Sequence, residues 1–370
     1  MADMHQPIFD IDVPGMQATV NSYKPGSGLT WQQLFPLKYT PKFDLKGLEA
    51  NEGIPVTADR VAFNVKAPIK SRQKVGSWSG HLGKISVSRE KDELQCNEYE
   101  DLKVLSAANT EDASTARYLV DLCYDDVDFC NKAMDYRIEL DSLRIGCSGE
   151  AVYKSEIDGE NATDDTINFN VPSTNFKGAT KVWSNAGQAD GLGDIIAAQK
   201  LIKDKGLATP RFAIMEQAAF VLLQAQESTA KRLYPQAKDL TLVTSDMITL
   251  ESINSYMAKL GYPQILVIDT YVTIEKKDGK TETIKPWNPN VVTLSPTPQL
   301  GWTYYKPVPL VKNTEALQVQ GKYYKLTVYS EVNPTKEVTL AEAYVQAALI
   351  NRSSLVFLNT AATTWNGGAS

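Results

Sequence analysis

The longest regular signal in the chain lies between residues 111 and 147, where apolar positions recur at spacings of mostly three and four: Ala116, Leu119, Val120, Cys123, Val127, Cys130, Met134, Ile138 and Ile145. Such spacing returns side chains to one face of a 3.6-residue turn, so it predicts an amphipathic rod with a continuous buried stripe. About 35 residues at roughly 1.5 Å each give a rod of about 50 Å, far longer than an ordinary globular helix. Thr110 or Asp112 is placed to cap its start, and Gly146 and Gly149 to stop it. Tyr118, Tyr124, Phe129 and Tyr136 make the seam irregular, which argues against a heptad coiled coil.

Period-two alternation marks residues 61–65 and 84–88 as half-buried strands. The polar, basic stretch 67–83 joins them and carries Trp78 at its middle. This predicts a long hairpin whose tip projects from the body and docks on a neighbour, because an isolated ribbon is marginal in water. After the rod, strands are expected at 151–157 and 166–171 around a polar turn. Helical patterns at 192–205, 216–226 and 252–260 then alternate with strand patterns at 211–214, 264–268, 271–275 and 291–294, which indicates an α+β fold. Residues 341–350 and 354–358 read as strands returning to the first part of the chain. Proline and glycine recur through the first sixty residues, so they read as an arm that gains order by lying on something else. Leu29, Trp31, Leu34, Phe35 and Leu37 supply one or two helical turns within it.

Charge changes the picture. The chain has 370 residues, 43% hydrophobic and 22% charged, with a net charge of −6, enough material for a buried core and two domains. Yet residues 60–91 are basic: Arg60, Lys66, Lys70, Arg72, Lys74, Lys84, Arg89 and Lys91 face only Asp59 and Glu90. The rod is acidic, with Asp112, Asp121, Asp125, Asp126, Asp128, Asp135, Glu139 and Asp141 outnumbering Arg117, Lys132, Arg137 and Arg144, and its exposed face is expected to carry that charge. A positive arm beside a negative rod points to self-association, the arm of one copy lying on the rod of another. A nucleic-acid arm is disfavoured, since one tryptophan gives little base stacking and the whole chain is acidic.

Candidate chemistry is sparse. Cys96, Cys123, Cys130 and Cys147 form no C-x-x-C pair, and Cys123 and Cys130 lie about 10 Å apart along the rod, beyond disulfide reach, so buried free thiols are expected. There are two histidines, no third glycine after Gly191-x-Gly193, no P-loop and no nucleophile elbow. Asp125-Asp126 and Asp164-Asp165 lack the glycine-centred loop of a calcium site. No enzymatic activity, cofactor or metal is therefore expected. No run approaches the roughly 20 apolar residues of a membrane helix. The first fifteen residues lack the pattern of a signal peptide, so the chain is expected to stay in the cytoplasm that makes it.

The order of segments carries a resemblance. A proline-rich arm and basic hairpin precede a long helix ending in Arg137-x-Glu139 and Ser148-Gly149; a strand pair and Trp183 lead to Asp190-x-x-x-Asp194-Ile195; and Asn290-Val-Val-x-Leu294 runs into Leu300-Gly-x-Thr303. Over residues 25–360 this resembles the lambda-type major capsid protein E family of tailed bacteriophages, which has the HK97-like fold. The resemblance implies an N-terminal arm (1–58), an extended loop (59–92), a peripheral domain (93–186) with a spine helix (111–147), an axial domain (187–335) and a C-terminal return and tail (336–370). Residues 313–333 match less easily and read as an insertion of open placement.

It further implies a virion subunit, assembled in the host cytoplasm, that forms hexamers and pentamers of an icosahedral head around double-stranded DNA. Scaffold, portal and decoration proteins are the implied partners, and the DNA is a non-specific neighbour. The candidate intersubunit residues are Lys70, Arg72, Lys74, Trp78, Asp121, Asp125, Asp128, Arg137 and Glu139, with the first three lying over a neighbour's acidic rod. Some members of the fold link a loop lysine covalently to a neighbour's asparagine. Lambda-type relatives rely on decoration proteins instead, so no such bond is expected to Asn351. An encapsulin-like compartment shell, which shares the fold, is the alternative.

Overall fold

The computed structural model describes residues 4–26, 28–48, 77–108, 113–154, 164–236, 244–276, 279–312 and 314–365. Lys70, Arg72, Lys74 and the strand expected at 61–65 lie outside the described residues. The Asp12 carboxylate accepts from the Gly15 amide and starts helix α1 (Val13–Ser22), which the arm reading had not foreseen; Pro14 fits its first turn, where no intrahelical donor is needed. The single turn α2 (Trp31–Leu34) follows, as the apolar anchors predict. Then come strands β1 (Leu37–Tyr39), β2 (Asp44–Leu48), β3 (Ser77–His81) and β4 (Gly83–Lys91), helix α3 (Glu93–Ala108) and the rod itself, α4 (Ala113–Ser148).

Gly149, at φ 81°, ends the rod, and its amide closes the last turn onto the Ile145 carbonyl. Gly146 does not stop it but lies within it: a β-carbon there would sit 2.8 Å from the Trp287 ring, so the glycine permits close packing instead. Gly146→Ala should therefore destabilise the fold by about 1–3 kcal/mol through overpacking, against alanine's better helix propensity. Denaturant unfolding checks this, and an unchanged midpoint would contradict it.

After the rod, β5 (Glu150–Tyr153) pairs with β6 (Asp165–Asn168). The next region holds β7 (Phe176–Gly178), α5 (Gly191–Asp204), β8 (Phe212–Glu216), α6 (Gln217–Gln224), α7 (Glu227–Leu233), α8 (Leu250–Lys259) and β9 (Gln264–Ile268). Beyond them are β10 (Val272–Glu275), β11 (Thr281–Ile284), β12 (Val291–Ser295), β13 (Gly301–Lys306), β14 (Leu317–Gln320), β15 (Tyr324–Val332), β16 (Thr335–Leu349) and β17 (Val356–Asn359). Two sheets organise these elements. One has the order β7-β17-β12-β8-β9, and the surrounding helices pack on it through Leu192, Ile195, Ile202, Leu223 and Met257. The buried Asp194 carboxylate ties this unit to its entry loop, accepting from the Thr180 amide (3.0 Å), Thr180 Oγ1 (2.6 Å) and Trp183 Nε1 (3.0 Å).

The other sheet is built on the fifteen-residue strand β16. Along one edge β16 pairs first with β15 and then with β13, while β4 occupies the opposite edge; β14 and β1 extend the sheet at its two ends. Alternate residues Ala341, Ala343 and Val345 face the rod and pack against its stripe, Cys123, Val127, Cys130, Met134 and Ile138. All four cysteines are free and buried.

Three expectations change. The strand expected at 84–88 is β4, but its partner among the described residues is β16. The stretch 314–333, whose placement was open, takes its place in the main sheet: β14 and β15 form an antiparallel pair there, with Leu326 and Val328 in its core. Trp78 is not at a projecting tip. It sits in β3, paired with β2, buried with its ring edge-on to Phe169 at 5.0 Å, because water exposure of an indole loses to a ready apolar pocket beside Leu45 and Leu82.

Candidate intersubunit surface

The acidic rod presents two different faces. Asp126, Asp135 and Glu139 were expected on its exposed side but are buried. The apolar stripe is flanked there by the sheet on one side and by the N-terminal segment on the other, so side chains at the stripe's margin are covered too. Each buried carboxylate has donors from this chain. Lys91 Nζ approaches Asp126 at 2.6 Å, and Arg89 Nε lies 3.3 Å from it. Tyr323 donates to Asp135 at 2.6 Å. Glu139 accepts from the Thr30 amide (3.0 Å), Thr30 Oγ1 (2.7 Å) and the Trp31 amide (2.6 Å). Asn131, one turn before Asp135, accepts from Tyr324 at 2.6 Å, so Asn131, Asp135 and Glu139 form a polar ridge at steps of four along the helix.

Burial raises the pKa of Asp135 and Glu139 above the ordinary carboxylate range, although their hydrogen bonds oppose the shift. The same cause raises Glu337, which accepts from the Phe9 amide at 2.9 Å. Glu337 and Glu139 thus hold two points of the N-terminal segment, at residues 9 and 30–31. Phe9 and Thr30 lie 21 positions apart, and no local pattern announces the two points.

Asp121, Asp125 and Asp128 are exposed on the outer face, with Tyr118, Phe129 and Tyr136 among them. Asp125 lies 3.8 Å from both Arg89 and Lys91, and burial followed by repulsion from Asp126 raises its pKa. Arg89 also stacks over the Phe129 ring at 4.8 Å. Arg137 pairs with Asp141 one turn on at 3.0 Å and lies over the Tyr153 ring. Lys84 pairs with Glu342 at 2.5 Å. The end of the basic stretch therefore meets acidic groups of its own subunit: Lys84, Arg89 and Lys91 all find intrachain partners. Trp78 and Glu139 are likewise buried against residues of the same chain. Among the described residues no cluster of His, Cys, Asp and Glu is arranged to hold a metal, and no helix is long and apolar enough to cross a membrane.

Neither protein-family models nor curated protein sequences match the chain. Solved structures do. A putative capsid protein of a prophage from E. coli CFT073 aligns over 94% of this chain and 99% of its own, with a TM-score of 0.57 and 13% identity. A phage-related protein from Bordetella bronchiseptica RB50 aligns over 94% of this chain and 97% of its own, with a TM-score of 0.52 and 14% identity. Alignments of that extent leave little of either chain unmatched, so the chain shares the fold of these solved structures, the HK97-like fold.

Proposed function

We propose that the chain is the structural subunit of an icosahedral phage-type head, closing as hexamers and pentamers around double-stranded DNA and located in the virion. The observation that carries this reading is the end-to-end likeness to a prophage capsid protein, which leaves no large part of either chain unmatched. Scaffold, portal and decoration proteins are its proposed partners. In the same reading residues 1–58 are the arm, 59–92 the extended loop, 93–186 the peripheral domain and 187–335 the axial domain, with 336–370 returning. The distinct core around α5 to α8 supports a separate axial unit. Membership of β13 to β15 in the β16 sheet favours grouping residues 301–332 with the peripheral part.

Expression of the full chain, followed by electron microscopy, tests this function. Uniform closed shells or tubes are expected; dispersed monomers under all conditions would overturn it. Nuclease-protected DNA inside shells recovered from infected or induced cells supports a phage head, whereas a protein cargo supports an encapsulin-like compartment. Replacing Lys70, Arg72 and Lys74 together by Glu should lower shell yield and flatten its dependence on salt. Each surface pair contributes only about 0–1 kcal/mol, so repetition around the shell carries the effect. Normal yield with an unaltered salt response would dismiss the role of these three residues.

A further inference from the structure

Two surfaces at opposite ends of β16 are exposed among the described residues. The first is on α3, which buries Cys96 and Tyr99. Its outward side carries Leu94, Glu98, Asp101 and Leu105 at steps of four, three and four, the spacing of one helix face. Leu94 is 77% exposed, Leu105 60%, and Val104 beside them 67%. Helices that pack only inward present polar residues outward, so an apolar stripe with acidic residues set into it is the profile of a helix that docks.

The second surface surrounds the edge strand β1. Tyr39 is 57% exposed and Phe43 43%. Lys38 lies over the Trp302 ring at 5.1 Å and Lys306 over the Phe43 ring at 4.2 Å. Lys42 and Lys46 are exposed beside a groove of about 390 Å³, in which Asp44 is the one acidic lining residue. Aromatic faces that already hold lysine ammonium groups form a surface that is apolar and cationic together.

We infer that the acidic, apolar stripe of α3 in one copy seats on the lysine and aromatic surface around β1 of a second copy. The inference rests on the shell reading and deepens it by naming a contact. Charge complementarity commits the occupant: the stripe offers Glu98 and Asp101 where the groove offers Lys42 and Lys46. Position makes the contact intermolecular. The chain enters α3 just after Lys91, opposite Glu337, whereas Tyr305 of the second surface lies opposite Val345. Eight residues of extended strand place about 26 Å between those points, and among the described residues no ion pair joins Glu98 or Asp101 to Lys42 or Lys46 within the subunit. A contact between two different patches is heterologous, and its repetition builds rings or larger assemblies instead of closed pairs.

Cross-linking the assembled protein tests the contact. Shells carrying both Leu105→Cys and Phe43→Cys should give a ladder of disulfide-linked multimers on non-reducing gels, against little background because all four native thiols are buried. Co-assembly of the two single variants should give dimers, and neither alone should. Charge exchange on an otherwise unaltered chain provides an independent measurement. Glu98→Lys with Asp101→Lys, or Lys42→Glu with Lys46→Glu, should each lower shell yield about ten-fold, and all four together should restore it to within about three-fold. All these side chains are exposed, so the unfolding midpoint should not move. Shells that form normally, with no disulfide ladder and no restoration, overturn this contact and leave the shell reading standing. An unmodified chain that never assembles overturns both.

Discussion

Lys91→Met is expected to lower the free energy of unfolding by about 3–5 kcal/mol, because it strands the Asp126 carboxylate in the interior without its cation. Both side chains are 4% exposed and 2.6 Å apart, and the Lys91 ammonium also lies over the Phe9 ring at 5.0 Å. Arg89 approaches Asp126 from the solvent side and softens the loss without replacing it. Asp126→Leu alone should also destabilise, by leaving Lys91 with only the looser contact to Asp125 at 3.8 Å. The double variant Lys91→Met with Asp126→Leu should recover most of the deficit, since an apolar pair of similar volume carries no desolvation penalty. Denaturant unfolding of the four proteins measures this. Additive losses in the double variant would show that the pair is not coupled.

Glu139→Ala should cost about 3 kcal/mol or more, because it leaves the Thr30 amide, the Thr30 hydroxyl and the Trp31 amide without their acceptor. Those donors open α2, so hydrogen exchange at Thr30 and Trp31 should accelerate more than exchange in the β16 sheet. Glu139→Gln keeps one oxygen as an acceptor and should lose less. The pH dependence has a definite sign. Burial raises Glu139, Asp135 and Glu337 above their ordinary values of 4.5, 3.8 and 4.5, so the folded chain holds protons that the unfolded chain has released. Their contribution to stability is full below those ordinary values and is lost as pH rises through the raised ones. Glu139→Gln should remove its share of that slope in unfolding midpoints measured across the acidic range. An unchanged slope would contradict the shift.

The rod was legible because its apolar stripe recurs from Leu119 to Ile145, and packing along one face forces such a period, although Val120, expected in the stripe, is 57% exposed. Its polar margin was not legible. A buried Asp135 and an exposed Asp128 look alike in sequence, and what separates them is Tyr323, 188 positions from Asp135 along the chain. The strand β16 was read only from residue 341, because in its first half the buried Glu337 and Thr339 are polar and break the apolar pattern around Val338. Helix α3 was missed for the opposite reason: with apolar residues outside and only Cys96 and Tyr99 buried, its pattern has no single period. Of the candidate intersubunit residues, Asp121 and Asp128 are exposed as the charge pattern led one to expect, while Trp78 and Glu139 lie in the interior. A tryptophan in a basic, glycine-rich stretch carries no sign that β2 will cover it.

The strand β16 also sets how the subunit bears load. It is matched at nine positions with β15 along one edge and at nine with β4 along the other. A pull along the strand shears these ladders, so their hydrogen bonds resist in parallel, whereas a pull across an end would break them in succession. Tension transmitted from either end of the subunit therefore meets its stiffest member in the middle, and mechanical failure should begin in the elements attached to that strand.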